Sequence, residues 1–292
     1  MQTRRLFAVV AAAAMLVPMA GPVVAKDAAQ AATPDPVLVQ VVAGDWRTPD
    51  AKARDAYRHP VDALTFWGLK PGMTILEVQP GAQSWWTEIL APYAKRTGGK
   101  LYVTGADLAN PDLSEGARKA RAAFEAHYGS NPDIYGKIDI VPWGAKSAPL
   151  PKDTFDFILT ARSVHGWMGQ PGMVEKTFKE FYDALKPGGI LALEQHRANP
   201  GPQDPKAANG YVTEAFVIEQ AERAGFKLAA KSELNANPKD TKDHPFGVWT
   251  LPPALRSTPY GSDKGEDPSF DHSKYVAIGE SDRMTLKFVK AK

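Results

Sequence analysis

The chain has 292 residues, 43% of them hydrophobic and 23% charged, with 35 basic side chains, 33 acidic ones and no cysteine. These proportions suit a globular protein with room for one large domain, and the missing cysteines exclude disulfides, thiolate metal sites and a cysteine nucleophile. The balance of charge gives no sign of a nucleic-acid partner, which would show a basic surplus.

Arg4 and Arg5 precede an apolar, alanine-rich run from Leu6 to Ala20, and Val23-Val24-Ala25 supplies small residues ahead of Lys26. This pattern predicts a signal peptide over residues 1–25 and export to the periplasm. Thr3-Arg4-Arg5-Leu6-Phe7 also resembles a twin-arginine signal, although Ala8-Val9 departs from its usual ending. The run is short for a membrane span, so no stable span is expected after cleavage. Cleavage would remove two arginines and no acid, leaving 33 residues of each sign.

Residues 26–60 read as an N-terminal helical extension. Val37 to Ala43 is a short helix, and Thr48-Pro49-Asp50 is an N-cap with proline in the first turn of a helix running through Tyr57. His59-Pro60 breaks it before a further helix carrying Leu64, Phe66 and Trp67. Residues 61–292 read as one α/β domain. Lys70-Pro71-Gly72 turns into an apolar strand, Met73 to Val78, closed by Pro80-Gly81, after which Trp85, Trp86, Ile89 and Leu90 recur at helical spacing. This is the strand, turn and helix that open a βαβ unit, where glycine admits a ligand to the backbone and the helix start offers N–H groups. A plain strand–turn–helix explains the same residues.

Further strands are expected at 101–104, 138–141, 156–160, 190–194, 226–230 and 284–289, with helices at 114–128, 171–185 and 213–224. Seven strands alternating with helices predict a doubly wound, mostly parallel sheet. Two long connections, 197–211 and 235–282, are expected to be lids, binding loops or disordered segments.

The ordered set of motifs resembles the class I S-adenosylmethionine-dependent methyltransferases. Glu77-Val78-Gln79-Pro80-Gly81 stands where that family has its glycine-rich first motif, and Ala106-Asp107 where an acid ends the second strand. Thr154 to Leu159 followed by Ser163-Val164-His165 is similar to its fourth-strand motif, Leu185-Lys186-Pro187-Gly188-Gly189 to the turn before strand five, and Ala224-Gly225-Phe226 to the turn into strand six. Tyr57-Arg58-His59-Pro60, Lys70-Pro71-Gly72-Met73 and Trp86 to Pro92 further resemble a bacterial subgroup of exported, predicted methyltransferases. The resemblance implies a Rossmann-like methyltransferase fold with N-terminal helices, S-adenosylmethionine as cofactor, methyl transfer to a small-molecule acceptor, and a cofactor site that includes Glu77, Gln79, Gly81, Asp107, Trp143 and Arg162. The pattern also departs from the family. Gly81 is followed by Ala82-Gln83-Ser84 rather than by further glycines, and Trp143-Gly144-Ala145 offers no acid to adenine. Trp143 is either an adenine-stacking ring or a core residue. A catalytically silent periplasmic binding protein using the same cleft is the alternative reading.

Methyl transfer is a displacement at a cationic sulfonium, catalysed mainly by positioning and by exclusion of water. His165 and His196, just beyond strands four and five, are the candidate catalytic bases, each with a plainer reading as a packed loop histidine. Arg162 and Arg197 are candidate anchors for an acidic substrate, or solvated loop arginines. The six histidines are scattered without metal-ligand spacing, and no phosphate loop, nucleophile elbow or zinc helix occurs.

Overall fold

The computed structural model describes residues 33–292; the expected signal peptide and the first residues of the extension lie outside them. In chain order the elements are α1 (Pro36–Val42), α2 (Pro49–Ala53), α3 (Asp55–Arg58), α4 (Pro60–Trp67), β1 (Thr74–Val78), α5 (Thr87–Thr97), β2 (Lys100–Gly105), α6 (Glu115–Gly129), α7 (Pro132–Tyr135), β3 (Ile138–Pro142), β4 (Phe155–Ala161), α8 (Val164–Met168), α9 (Met173–Ala184), β5 (Leu185–His196), α10 (Glu214–Arg223), β6 (Lys227–Ser232), α11 (Ser273–Ile278) and β7 (Arg283–Val289).

The sheet has seven strands in the order β3-β2-β1-β4-β5-β7-β6. All neighbouring pairs are parallel from β3 to β5, whereas β7 runs antiparallel to both β5 and β6. The fold is therefore Rossmann-like α/β, mostly parallel, with one antiparallel hairpin. The strand order reverses between β1 and β4, which makes the crevice outside their C-terminal ends the expected ligand site. Because β7 is reversed, its first residue, Arg283, lies opposite His196 at that same edge.

Alternate residues of the central strands feed two cores, since strand side chains alternate faces. Leu76 and Ile158 join Phe178 and Phe181 of α9 and Val217 and Ala221 of α10 on one face. Ile75, Phe157 and Leu159 join Leu38, Leu64, Trp67, Ile89 and Leu90 on the other. The N-terminal helices thus contribute directly to the second core.

Local chemistry fixes several of these elements. Thr48 caps α2 by accepting from the Ala51 N–H at 3.1 Å, with Pro49 following as predicted. The single helix expected through Tyr57 is recorded as α2 and α3, although Arg54 between them keeps helical backbone angles. His59 then adopts a left-handed φ of 43° and Pro60 begins α4. Pro92 lies inside α5 and has no N–H to give the Glu88 carbonyl, which instead accepts from the Trp46 indole at 2.9 Å. Asp156 is structural, accepting from the Thr74 N–H and from Lys186 Nζ, both at 2.9 Å, at the end of the sheet away from the ligand edge.

The connection 235–282 carries a short 3-10 turn at Gly247–Thr250 and helix α11. It is pinned by buried polar groups and is not the disordered segment the composition allowed. Asp240 accepts from Tyr211 Oη at 3.0 Å and from the Asp282 N–H at 2.8 Å, and meets His244 Nε2 at 2.8 Å. Tyr211 belongs to the other long connection, so the two are tied to each other.

Candidate functional site

A cavity of about 820 Å³ opens at the C-terminal ends of β1, β2 and β3, under helix α6. Its size falls within the roughly 300–1,000 Å³ of small-molecule sites. One wall is the loop Gln79 to Ser84, another the end of β2 from Val103 to Ala106, and the roof is α6 with Ala117, Ala120, Phe124 and Tyr128. The alanines recur at helical spacing, so the N-terminal part of that face of α6 presents small side chains to the space, and Phe124 and Tyr128 close its far end.

Gly81 has φ 72°, and a Cβ there would have no neighbour within 4 Å. That empty space lies where a ligand would approach the backbone, and it is the feature by which this shortened first motif still fits a cofactor. The side chains that replace the usual glycines do not fill the cavity. Ser84 folds back so that its hydroxyl donates to the Gly81 carbonyl at 3.1 Å, and Gln83 is held by Arg54, whose Nη1 donates to its Oε1. Gln79 also takes a left-handed backbone, φ 49°. Its N–H donates to Thr104 Oγ1 at 2.8 Å and its Oε1 accepts from the Trp167 indole at 2.9 Å, which ties the β1 turn to β2 and α8.

The residues named from sequence fall into separate places. Gln79, Gly81 and Trp143 line the cavity. Trp143 is also a core residue: it stacks on Phe181 at 6.1 Å, and its indole donates to Glu180 Oε2 at 3.0 Å. Asp107 closes the turn after β2, with Oδ1 accepting from the Ala109 N–H at 3.0 Å. Its other oxygen, Oδ2, has no hydrogen-bond partner among the described residues, so it keeps an acceptor to offer. Glu77 does not line the cavity. It is 2% exposed and turned towards Thr87, whose hydroxyl donates to it at 2.6 Å. Arg162, His165 and His196 lie beyond the cavity, at the ends of β4 and β5.

Burial raises the Glu77 carboxyl to about 8, against the opposing hydrogen bonds from Thr87. Between pH 4.5 and about 8 the folded protein therefore holds a proton that the unfolded chain has already released. Stability from this group is complete below pH 4.5 and declines as pH rises to 8, with a limiting slope of about 1.4 kcal/mol per pH unit. Glu77→Gln has no proton to lose. Thermal unfolding at pH 5 and pH 8 is expected to show a smaller decline for Glu77→Gln than for wild type; parallel declines would mean that Glu77 is ionised in the fold.

The two histidines face each other with ring centroids 5.5 Å apart. Burial lowers His165 to about 4, and the nearby Arg162 charge lowers it further. His196 is lowered well below its ordinary value, first by burial and then by His165, Arg162 and Arg283. Both are neutral near pH 7. The Gln195 amide is oriented by its neighbours: its Oε1 accepts from the Val164 N–H at 3.1 Å and its Nε2 donates to the Gly210 carbonyl at 3.2 Å. The same Nε2 lies 3.1 Å from His165 Nδ1, which must therefore accept, placing the imidazole proton on Nε2. His196 Nδ1 is 2.5 Å from Ser281 Oγ. Arg197 is fully engaged, by Asp282 at 2.8 Å and by Glu233, and offers no free fork. Gln195, Ser281 and Thr87 carry no motif of their own, and sequence reading had no signal for them.

These surroundings, a Rossmann-like sheet with a cavity at the turn after β1, agree with what comparison finds. Residues 81–193 match a methyltransferase domain. A demethylmenaquinone methyltransferase from Lysinibacillus sphaericus is 26% identical over 142 residues, which are 48% of this chain and 52% of that protein. The chain thus spans about half the length of that curated relative. Among solved structures, the [4+2]-cyclase SpnF is similar at a TM-score of 0.53 and 17% identity, over 87% of this chain and 92% of that one. A SAM-dependent methyltransferase from Aquifex aeolicus covers 87% and 98% at 18% identity, with a TM-score of 0.48. The domain match supports the class I S-adenosylmethionine-dependent methyltransferase family, and the cyclase shows that this fold also hosts another chemistry. The methyltransferase domain match begins at Gly81, the residue at the mouth of the cavity, and ends within β5. Among the described residues no group of three His, Cys, Asp or Glu is placed to hold a metal, and no helix is long and apolar enough to cross a membrane.

Proposed function

We propose that the protein transfers a methyl group from S-adenosylmethionine to a small-molecule acceptor. The observation that carries this reading is the cavity at the ends of β1 and β2, with open space over Gly81, inside the stretch that matches a methyltransferase domain. Gln79, Gly81 and the β2 end would hold the cofactor, with Asp107 Oδ2 as an acceptor for ribose hydroxyls and the Trp143 edge as a wall. When bound, the cofactor supplies an electrophilic methyl on a sulfonium. The chain's own part is positioning. Trp167 and Thr104 fix the Gln79 turn, and α6 closes the roof against water. His165, with its proton on Nε2, would orient an acceptor by donating to it; His196 is the remaining group able to receive a proton. Neither is a strong base, which favours acceptors that are already nucleophilic at neutral pH. Glu77, protonated and buried, supports the β1 turn from behind.

The pattern of residues 1–25 supports action in the periplasm, with the cofactor acquired before export if the twin-arginine resemblance holds. The catalytically silent alternative is not favoured by the domain match.

Titration calorimetry of the purified protein with S-adenosylmethionine and S-adenosylhomocysteine tests the reading. Micromolar dissociation constants are expected, corresponding to about −8 kcal/mol, and Asp107→Ala should weaken binding roughly tenfold, about 1.4 kcal/mol. Absence of heat and of a thermal shift at millimolar ligand would remove the enzyme reading.

A further inference from the structure

Beyond the cavity, at the ends of β4 and β5, three arginines share two carboxylates and a fourth, Arg162, lies within their field. Glu280 meets Arg54 Nε at 2.7 Å, Arg58 Nε at 3.0 Å and Arg283 Nη1 at 2.7 Å. Glu194 lies 2.9 Å from Arg283 Nε, close enough for an ion pair though without hydrogen-bond geometry. Arg162 feels both carboxylates and the cations Arg54 and Arg283. The other acids nearby are committed: Asp282 to Arg197 and Lys242, Asp240 to His244 and Tyr211, and Asp55 to Arg47. Four guanidinium charges against two carboxylates leave a positive surplus in a region largely closed to water.

The surplus is localised on particular nitrogens. Arg58 is 0% exposed, and both its Nη atoms are buried without a hydrogen-bond partner; its guanidinium lies over the Trp85 ring at 4.7 Å. The Arg162 side chain makes no hydrogen bond among the described residues, its Nε is sealed from solvent, and the residue as a whole keeps partial exposure. A buried guanidinium N–H without an acceptor is unfavourable, and its fork fits the paired oxygens of a carboxylate or phosphate.

The backbone gives a second, independent sign. Arg162 directly follows β4 with a left-handed φ of 59°, fixed by its N–H donating to the Glu194 carbonyl at 2.7 Å. Non-glycine residues held in this region concentrate at ligand sites. Across the switch point Gln79 is left-handed as well, and Arg54 reaches Gln83 on the cavity wall. The arginine cluster is thus adjacent to the cofactor cavity without being part of its lining.

We propose that Arg162 anchors an oxyanion, carboxylate or phosphate, carried by the molecule that accepts the methyl group, with the positive surplus of the cluster, which includes Arg54 and Arg283 close by, reinforcing the attraction. The assignment of this anion as the acceptor rests on the methyltransferase reading; the anion site itself does not.

The test is a thermal-shift and calorimetric titration with succinate, inorganic phosphate and uncharged succinamide. Ionic strength is held constant with chloride, and each titration is run with and without S-adenosylhomocysteine. Succinate or phosphate is expected to raise Tm and bind, while succinamide does neither. A preference for phosphate assigns a phosphate monoester, and a preference for succinate a carboxylate. Arg162→Gln should lose at least tenfold in anion affinity and Arg162→Lys should recover part of it, with folding of both checked by circular dichroism. Arg197→Gln, whose side chain is already paired, should leave the affinity unchanged. No anion-specific shift, or one that survives in Arg162→Gln, would overturn the proposal. Binding of S-adenosylhomocysteine without binding of anion removes the anion site and leaves the methyltransferase reading; anion binding alone does the reverse.

Discussion

Glu280→Ala is expected to lower stability by on the order of 3–5 kcal/mol, because it leaves charged partners buried and unpaired. For a protein of this size that corresponds to a fall in Tm of roughly 10 °C. Glu280 is 3% exposed and is the shared partner of Arg54, Arg58 and Arg283, three cations from both ends of the chain. Its removal therefore strands more than one charge. Arg283 would keep Glu194 and the Tyr57 carbonyl, to which its Nη2 donates at 2.5 Å, whereas Arg58 would keep only the face of Trp85. Glu233→Ala is the control. That carboxylate also pairs with an arginine, Arg197, but is 68% exposed, and pairs of that kind contribute roughly 0–1 kcal/mol. Thermal and urea unfolding of the two variants decide the matter. If Glu280→Ala shifts Tm no further than Glu233→Ala, the cluster is hydrated and its charges are not held against one another.

Gly81→Val is expected to reduce binding of S-adenosylhomocysteine by at least about 100-fold, roughly 2.8 kcal/mol, while costing only about 1–2 kcal/mol in stability. The two effects separate because of where the new atoms go. The left-handed φ of 72° strains any side chain, and that is the stability cost. The Cβ itself meets no protein atom within 4 Å, so folding is not opposed by a clash and the added volume falls in the space a ligand would use. Gly98→Val supplies the matching control. Gly98 has φ 74° at the C-cap of α5, at the opposite end of the strands, and likewise has nothing within 4 Å. It should carry similar strain and leave ligand binding intact. Calorimetry and melting curves for both variants distinguish a blocked site from a merely weakened fold. Equal loss of binding in the two would show that Gly81 is not at the site.

Much of the fold was legible because its signals are local. Strand runs such as 73–78 and 156–160, the Thr48-Pro49 cap and the turns at Gly72 and Gly225 appear where the sequence predicts them. The Lys-Pro-Gly-Gly turn is absorbed into β5, which begins at Leu185, because Phe155 pairs with Leu185 ahead of a register shift. The site was legible only in part. Gln79, Gly81 and Trp143 sit on the loop and strand ends that the motif order picks out, and they line the cavity. Glu77 carries an acid at the right place in the motif, but its side chain points towards Thr87, and which way a strand-end carboxyl turns is decided by tertiary packing. The arginine cluster was illegible for a stronger reason. Arg54 and Arg58 lie more than two hundred residues from Glu280, and no local pattern encodes a contact of that range. The histidines show the same limit, since their proton positions depend on Gln195 and Ser281 rather than on any spacing between them.

The place of β7 between β5 and β6 has a consequence for how the chain comes together as it is made. Synthesis delivers β6 before β7, yet β6 touches the sheet only through β7. Until residues 283–289 have left the ribosome, β6 has no seat, β5 is an open edge, and Glu280 and Glu194 lack Arg283. The sheet is therefore completed only once β7 has emerged, by a strand threaded into an interior position. Nascent chains stalled just short of Arg283 should accordingly be far more open to protease across β5 and β6 than the released protein.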